Sequence, residues 1–141
     1  MSLFRRGRSR PGRVTVREAA ARTGYGPGPE GGGAATGQGT GGADGDAVLL
    51  DVRERHEWQA GHAPRAVHLP LSALASGAAL PARVKDRPLV VICRSGNRSR
   101  RAAELLSARG ADAVDVTGGM RGWAAAGLPV VDARGRNGTV A

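Results

Sequence analysis

The sequence has a single cysteine, Cys93, in 141 residues. One thiol excludes an intramolecular disulfide framework and a cysteine-cluster metal site. Cys93 is therefore either a buried structural thiol or a reactive one. Aromatic residues make up only 3% of the chain, so any core must be built from Val, Leu, Ile and Ala.

No apolar run approaches the roughly 18 residues that span a bilayer, and no signal-peptide pattern follows the first arginines. We therefore expect a cytoplasmic location and no transmembrane segment.

Lysine is almost absent, since Lys85 is the only one among 21 basic residues, yet the net charge is +9. Seven arginines lie in residues 1–22. Residues 1–13 show no hydrophobic periodicity, which predicts a disordered basic arm. Such an arm suits contact with nucleic acid or an anionic membrane. We favour the alternative of a solvated tail, because arginine is abundant along the whole chain.

The length favours one domain, which we place at residues 14–131. Eleven of the 24 residues from Gly24 to Ala47 are glycine. This composition cannot bury enough apolar surface to offset its ordering entropy, so it predicts a flexible insertion within the domain. Residues 132–141 are expected to form a frayed tail.

Apolar runs separated by breaks predict strands that alternate with helices. Thr15 and Glu18 have the spacing of a capping box, which predicts a short helix within residues 14–22. The alternation favours the α/β class, with a central, mostly parallel sheet of about five strands flanked by helices. Trp58 and Trp123 are expected in the core. Strands are predicted at 48–52, 66–69, 89–93 and 114–116, and later helices at 53–60, 71–75, 98–109 and 120–126.

The most informative stretch is the apolar run at residues 89–92, which leads directly into Cys93. Such a run is typical of a buried parallel strand. A polar loop with one glycine follows, and then a helical pattern begins. Parallel sheets place ligands and catalytic groups at the carboxyl ends of their strands. This position favours a catalytic nucleophile over an inert buried cysteine.

A thiol attacks as its thiolate, and three features of the loop favour that form of Cys93. The helix that follows points its partly positive N-terminus at the loop. The amide groups of residues 94–98 are able to curl into an anion-binding nest. Arg94 and Arg98 add positive charge, and Gly96 supplies the backbone freedom that such a curl needs.

Taken in order, the motifs of residues 48–131 resemble the single-domain rhodaneses, the thiosulfate sulfurtransferase family. The Gly-rich insertion and the basic arm lie outside the family's pattern. The segments that carry the resemblance include Asp51-Val52-Arg53-Glu54, Gly61-His62-Ala63-Pro64, Cys93-Arg94-Ser95-Gly96-Asn97-Arg98-Ser99, Gly118-Gly119 and Gly127-Leu128-Pro129.

The resemblance implies a rhodanese-like fold and a reaction. Cys93 would attack the outer sulfur of thiosulfate, release sulfite and hold a persulfide. No metal and no cofactor are expected. Because the chain has no second cysteine, the acceptor must be external: cyanide, a thiol or a sulfur-relay protein. The expected substrate-binding loop, which we call the catalytic loop, consists of Arg94, Ser95, Gly96, Asn97, Arg98 and Ser99.

Four of the candidate residues have alternative roles. We expect Arg98 to bind the anionic substrate rather than only brace the loop. Ser99 is expected to cap the following helix. Asp51 and Arg53 either support the catalytic loop or form an ordinary pair that holds the fold. We favour the second role, from which the site would benefit indirectly.

The spacing within the loop bears on a rival chemistry. Cysteine-dependent phosphatases resemble a Cys-x5-Arg pattern, whereas Cys93 and Arg98 form Cys-x4-Arg. A loop one residue shorter makes a tighter cradle, which suits a single sulfur better than a phosphoryl group. We therefore favour sulfur transfer over a phosphatase or an arsenate reductase. A rhodanese-fold binding or regulatory module with little turnover is the other alternative.

Overall fold

A computed structural model describes residues 11–26 and 45–141. Its strands are β1 (Arg13–Val14), β2 (Val48–Asp51), β3 (Val67–His68), β4 (Leu89–Ile92) and β5 (Ala113–Val116). Its helices are α1 (Val16–Arg22), α2 (Arg55–Ala60), α3 (Leu71–Ala75), α4 (Asn97–Ala108) and α5 (Gly119–Ala125), with a 3-10 turn at Ala82–Val84. The strands form one parallel sheet in the order β1-β5-β4-β2-β3. The predicted α/β class, with about five mostly parallel strands, is confirmed.

The core has two layers because both faces of the sheet are covered. Val91 of β4 packs with Leu106 of α4 on one face. Ile92, the next residue, packs with Trp123 of α5 on the other. Alternate residues of a strand point to opposite faces, so a strand covered on both sides is apolar throughout. Trp123 is a core residue as predicted, but Trp58 is only half-buried, since its ring stacks on His62 and not in the core.

The N-terminal segment begins earlier than predicted. Residues 1–10 lie outside the described part of the chain, but Arg13 starts β1 and is in register with Asp115 of β5. The prediction of disorder was therefore wrong for residues 11–13. The capping box of Thr15 and Glu18 is confirmed, with Glu18 N donating to Thr15 Oγ1 at 3.1 Å. Val14 belongs to the strand, because its carbonyl accepts a hydrogen bond from the Thr117 amide.

The Gly-rich insertion predicted at 24–47 lies mostly outside the described residues, which exclude 27–44. Its two ends are held at the end of α1. The amides of Gly45 and Ala47 both donate to the Arg22 carbonyl, at 2.8 and 3.0 Å. The two described ends of the insertion therefore lie together, near the residues that begin β2 and β4, whereas Cys93 follows the last residue of β4.

The C-terminal segment is not frayed, which corrects the expectation for residues 132–141. It turns at Asp132, whose carboxylate accepts the amides of Arg134 and Arg136. It then runs back along α2, where Thr139 N donates to the Ala60 carbonyl at 3.0 Å. Backbone hydrogen bonds of this kind leave no hydrophobic pattern in the sequence, so the order of this segment was not predictable. Within the described ranges, no helix is long and apolar enough to cross a membrane.

Candidate active site

Cys93 directly follows β4, the central strand of the sheet, and its surface is only 1% exposed. The chain then turns at Gly96, the N-cap of α4, which has a φ of +110°. Only glycine adopts this conformation easily. The turn aims the Gly96 amide at Cys93, so that its N–H donates to Sγ over 3.1 Å. One amide of the predicted nest therefore contacts the sulfur directly.

Ser99 is the second group that contacts the thiol. The Cys93 thiol donates to Ser99 Oγ at 3.4 Å, and Ser99 Oγ donates to Asp115 Oδ2 at 2.9 Å. The expected capping role of Ser99 was wrong, because the N-cap of α4 is Gly96 and has no side-chain bond. Ser99 is fully buried in the first turn of the helix, where it faces the sulfur.

Asp115 is a site residue that our sequence reasoning missed. It lies in β5 between apolar neighbours and is 1% exposed. A carboxylate inside a buried strand needs a partner, and this was the signal available in the sequence. The partner is Arg13, whose Nε and Nη2 donate to the two carboxylate oxygens at 2.9 and 3.0 Å.

Arg13 was also missed, because it belongs to the segment that we predicted to be disordered. Its Nη2 also donates to the Gly96 carbonyl at 2.9 Å, so one guanidinium joins β5 to the catalytic loop. The hydrogen bond with Asp115 is the main cause that raises the pKa of Arg13, and the charges of Asp115 and Cys93 add to it. Arg13 is thus close enough for its charge to interact with Cys93.

Arg98 is bound by a protein carboxylate. Its two terminal nitrogens donate to the two oxygens of Glu57 at 2.7 and 2.8 Å, which ties α4 to α2. Hydrogen bonds from Arg98 are the main cause that lowers the pKa of Glu57 to about 2. The same contact raises the pKa of Arg98. Sequence reasoning missed Glu57, and substrate binding by Arg98 stays a prediction.

The outer part of the loop is more open. Ser95 and Asn97 are exposed, and Arg94 is half-buried. The Arg94 Nε donates to the Ala141 carbonyl at 2.7 Å. The C-terminal segment therefore reaches the rim of the loop, next to the residues predicted to meet the donor.

Asp51 and Arg53 form a fully buried ion pair at the end of β2, with 2.8 Å between Arg53 Nη2 and Asp51 Oδ2. Arg53 Nη2 also donates to the Gly61 carbonyl at 2.7 Å, which ties the end of α2 to β2. Among the described residues, Arg53 Nη1 has no hydrogen-bond partner. The pair holds neighbouring elements together, and support of the catalytic loop stays a prediction.

The start of α5 fixes the backbone of Cys93. Met120 N donates to the Cys93 carbonyl at 2.7 Å, and Arg121 N donates to the Arg94 carbonyl at 3.1 Å. Gly119 lies so close that an added Cβ would be 2.5 Å from the Arg94 and Cys93 carbonyl oxygens. The predicted Gly118-Gly119 turn thus lets α5 approach the catalytic loop.

This geometry defines a class of protein: a parallel α/β domain with one buried thiol at the carboxyl end of its central strand. An amide, a hydroxyl and a nearby guanidinium surround the thiol. In the described ranges, no group of three or more His, Cys, Asp or Glu residues is placed to hold a metal ion.

The model of the rhodanese-like domain family matches residues 40–126. This match covers more than half of the 141 residues, and it includes Cys93 and the whole catalytic loop. The chain belongs to the rhodanese-like domain family, as the resemblance of its motifs implied. Arg13 lies outside the matched residues.

Individual relatives agree with this assignment. The adenylyltransferase and sulfurtransferase UBA4 of Yarrowia lipolytica is 38% identical over 77 residues, which are 55% of this chain and 19% of that protein. The chain thus spans about a fifth of its length. A rhodanese-related crystal structure from Thermoplasma volcanium is 38% identical, with a TM-score of 0.54 over 61% of this chain and 84% of that one.

A third relative extends the agreement in fold over nearly the whole chain. This Rhodopseudomonas palustris protein, described as of unknown function and a possible tyrosine phosphatase, is 22% identical. Its TM-score is 0.62 over 92% of this chain and 91% of that one. At this identity the likeness concerns the fold alone.

Proposed function

We propose that the chain is a sulfurtransferase that carries a sulfane sulfur as a persulfide on Cys93. The observation that carries the proposal is the contact of Cys93 Sγ with the Gly96 amide at 3.1 Å, at the start of α4. A fixed amide and a helix N-terminus both stabilise negative charge on sulfur. The sulfurtransferase named among the relatives adds support at the level of the family.

In the proposed reaction, the Cys93 thiolate attacks the outer sulfur of thiosulfate. The sulfur–sulfur bond of the donor breaks, and sulfite leaves with the electron pair. The charge then lies on the terminal sulfur of the Cys93 persulfide. An external nucleophile, such as cyanide or a thiolate, attacks that sulfur and restores the Cys93 thiolate. Another persulfide donor would enter by the same substitution at sulfur.

The donor would approach over the loop from Arg94 to Arg98. Arg94 is half-buried, and its guanidinium would attract an anion that approaches the loop. Arg98 would reach the donor only by leaving Glu57, to which it donates two hydrogen bonds. We therefore propose Arg94 as the main contact of the thiosulfate sulfonate group, with Arg98 contributing long-range charge.

The test is a thiosulfate–cyanide sulfurtransferase assay on the full chain, together with intact-protein mass spectrometry after exposure to thiosulfate. We expect turnover and one added sulfur atom on wild type, and neither on Cys93→Ser. Ser107→Ala, a change on a half-buried hydroxyl at the far end of α4, should behave like wild type.

The alternatives give different results in the same experiments. An added sulfur without turnover would point to a binding or carrier module. Hydrolysis of a small aryl phosphate with no added sulfur would overturn the proposal in favour of a phosphatase. Wild-type turnover by Cys93→Ser would show that another group is the nucleophile.

A further inference from the structure

The thiol belongs to a closed ring of hydrogen bonds. We call it the Cys93 ring, made of Cys93, Ser99, Asp115, Arg13 and Gly96. The thiol donates to Ser99, and Ser99 donates to Asp115. Asp115 accepts from Arg13, and Arg13 donates to the Gly96 carbonyl. The Gly96 amide closes the ring on the sulfur. Three separate segments of the chain meet in it.

The ring brings a negative charge close to the Cys93 thiol. Ser99 has one hydroxyl proton and gives it to Asp115, so its oxygen accepts from a protonated thiol. Asp115 is a buried carboxylate only one hydroxyl away from the sulfur. A nearby negative charge disfavours a thiolate. Without a compensating positive charge, Asp115 would favour the protonated thiol of Cys93, which is unreactive.

Arg13 offsets the negative charge of Asp115. Its guanidinium binds both carboxylate oxygens and places a positive charge beside the loop that carries Cys93. We propose that Arg13 is a positioning residue that neutralises Asp115 and thereby lets Cys93 ionise. This role rests on the proposed function in that it takes the Cys93 thiolate as the nucleophile. The charge comes from the N-terminal segment, outside the residues matched by the family model.

In the described part of the chain, no charged group other than Arg13 hydrogen-bonds to Asp115. Arg100 and Glu104 of α4 line the same small pocket as Arg13 and Asp115, and both are exposed. On α4, Arg98 binds Glu57 of α2. At the end of β2, Arg53 binds Asp51. In the loop, Arg94 donates to the Ala141 carbonyl, and on α5 Arg121 is exposed. His68 of β3 contacts the Arg53 carbonyl through its ring. Among the described residues, Arg13 is the cation that donates hydrogen bonds to Asp115.

The test measures the ultraviolet absorbance of the thiolate as a function of pH. The signal reports Cys93 alone, because the chain has one cysteine, and Cys93→Ser supplies the blank. The single tyrosine, Tyr25, does not interfere below about pH 10, because burial raises its pKa to about 12. No sulfur donor is needed.

We expect Arg13→Met to move the midpoint of thiolate formation upward by about one pH unit, as loss of a close opposite charge does. Asp115→Asn should move it downward. The double variant should return it close to wild type, because both charges are gone. Arg17→Met removes an exposed arginine of α1 and serves as the matched control, with no shift expected.

A midpoint for Arg13→Met equal to that of Arg17→Met would overturn the inference, and so would an upward or absent shift for Asp115→Asn. Circular dichroism checks folding. If Arg13→Met does not fold, Asp115→Asn decides alone, since amide and carboxylate have nearly the same shape. The proposed function is tested separately. If the variants show these midpoints but the wild-type chain takes no sulfur from thiosulfate, the role of Arg13 is supported and the sulfurtransferase proposal is overturned.

Discussion

At the scale of single residues, the site depends on buried charges that each have a specific partner. Glu57 shows this well, because only 7% of its surface is exposed. A buried carboxylate is costly unless charged hydrogen bonds compensate. Two bonds from Arg98, together with the Glu54 amide, provide this compensation. The pair fastens α2 to the first turn of α4, which begins at the catalytic loop.

This pairing predicts how stability depends on pH. The pKa of Glu57 falls from 4.5 to about 2 in the folded protein. A lowered pKa means that the contribution is complete above pH 4.5 and is lost as the pH falls towards 2. Glu57→Gln should therefore cost about 1 kcal/mol at pH 7, a small value because Arg98 is one-third exposed and screened by solvent.

The measurement is urea unfolding of wild type and Glu57→Gln between pH 2 and pH 7. The difference in unfolding free energy should shrink as the pH falls below 4.5. Asp112→Asn removes an exposed carboxylate and should show little difference at any pH. A difference for Glu57→Gln that stays constant down to pH 2 would contradict an ionic origin.

At the scale of elements, Cys93 is held between α4 and α5. The Cys93 and Arg94 carbonyls accept bonds from the first turn of α5. This approach requires Gly119, which has a φ of +55° and no room for a Cβ. The second glycine of the Gly118-Gly119 turn therefore determines the position of the catalytic loop as well as the start of a helix.

Gly119→Ala should lower the free energy of unfolding by about 3 kcal/mol, the sum of left-handed strain and overpacking. It should also slow persulfide formation, because the Cys93 backbone must move. Gly127→Ala is the matched control, since Gly127 has a φ of +80° but nothing within 4 Å of the added Cβ. It should lose only about 1 kcal/mol. Equal losses in the two variants would show that close packing at Gly119 is unimportant.

Elements with local signals were predictable from the sequence, and those fixed by distant partners were not. The capping box at Thr15 and the apolar run at residues 89–92 each lie within a few residues, and both gave correct elements. β1 has only two residues and depends on β5 for its hydrogen bonds. The Arg13–Asp115 pair joins residues 102 positions apart. Nothing in the sequence distinguishes Arg13 from the other arginines of the Arg-rich arm as the one that pairs with a distant aspartate.

At the scale of the whole molecule, both flanking segments of the chain return to the catalytic loop. Arg13 donates to the Gly96 carbonyl, and Arg94 donates to the Ala141 carbonyl. The sheet order explains the first contact, because β1 lies beside β5 at one edge. The second depends on the C-terminal segment, which packs on α2 by backbone hydrogen bonds.

The docking of this segment depends on Gly61, at the end of α2. An added Cβ there would collide with the Thr139 carbonyl oxygen, and it would lie 2.7 Å from the Thr139 amide nitrogen and 2.8 Å from Val130 Cγ1. The backbone of Gly61 is extended, with a φ of 175°, so alanine itself brings no conformational strain. The effect of Gly61→Ala should therefore come from collision with the rigid Thr139 backbone and, to a smaller extent, with the Val130 side chain.

Gly61→Ala should cost the full chain about 2 kcal/mol of unfolding free energy, in the range of overpacked sites. In a chain shortened by residues 132–141, the same substitution should cost less, because the Thr139 backbone is gone and the remaining neighbour, Val130, meets the Cβ with a side chain that is able to move. Urea unfolding of the four proteins gives this coupling directly. If Gly61→Ala lowers the unfolding free energy equally with and without residues 132–141, the segment does not pack on α2 in solution. A strong coupling would show that residues 132–141 are an integral part of the domain, held against α2 by close contact of backbone with backbone.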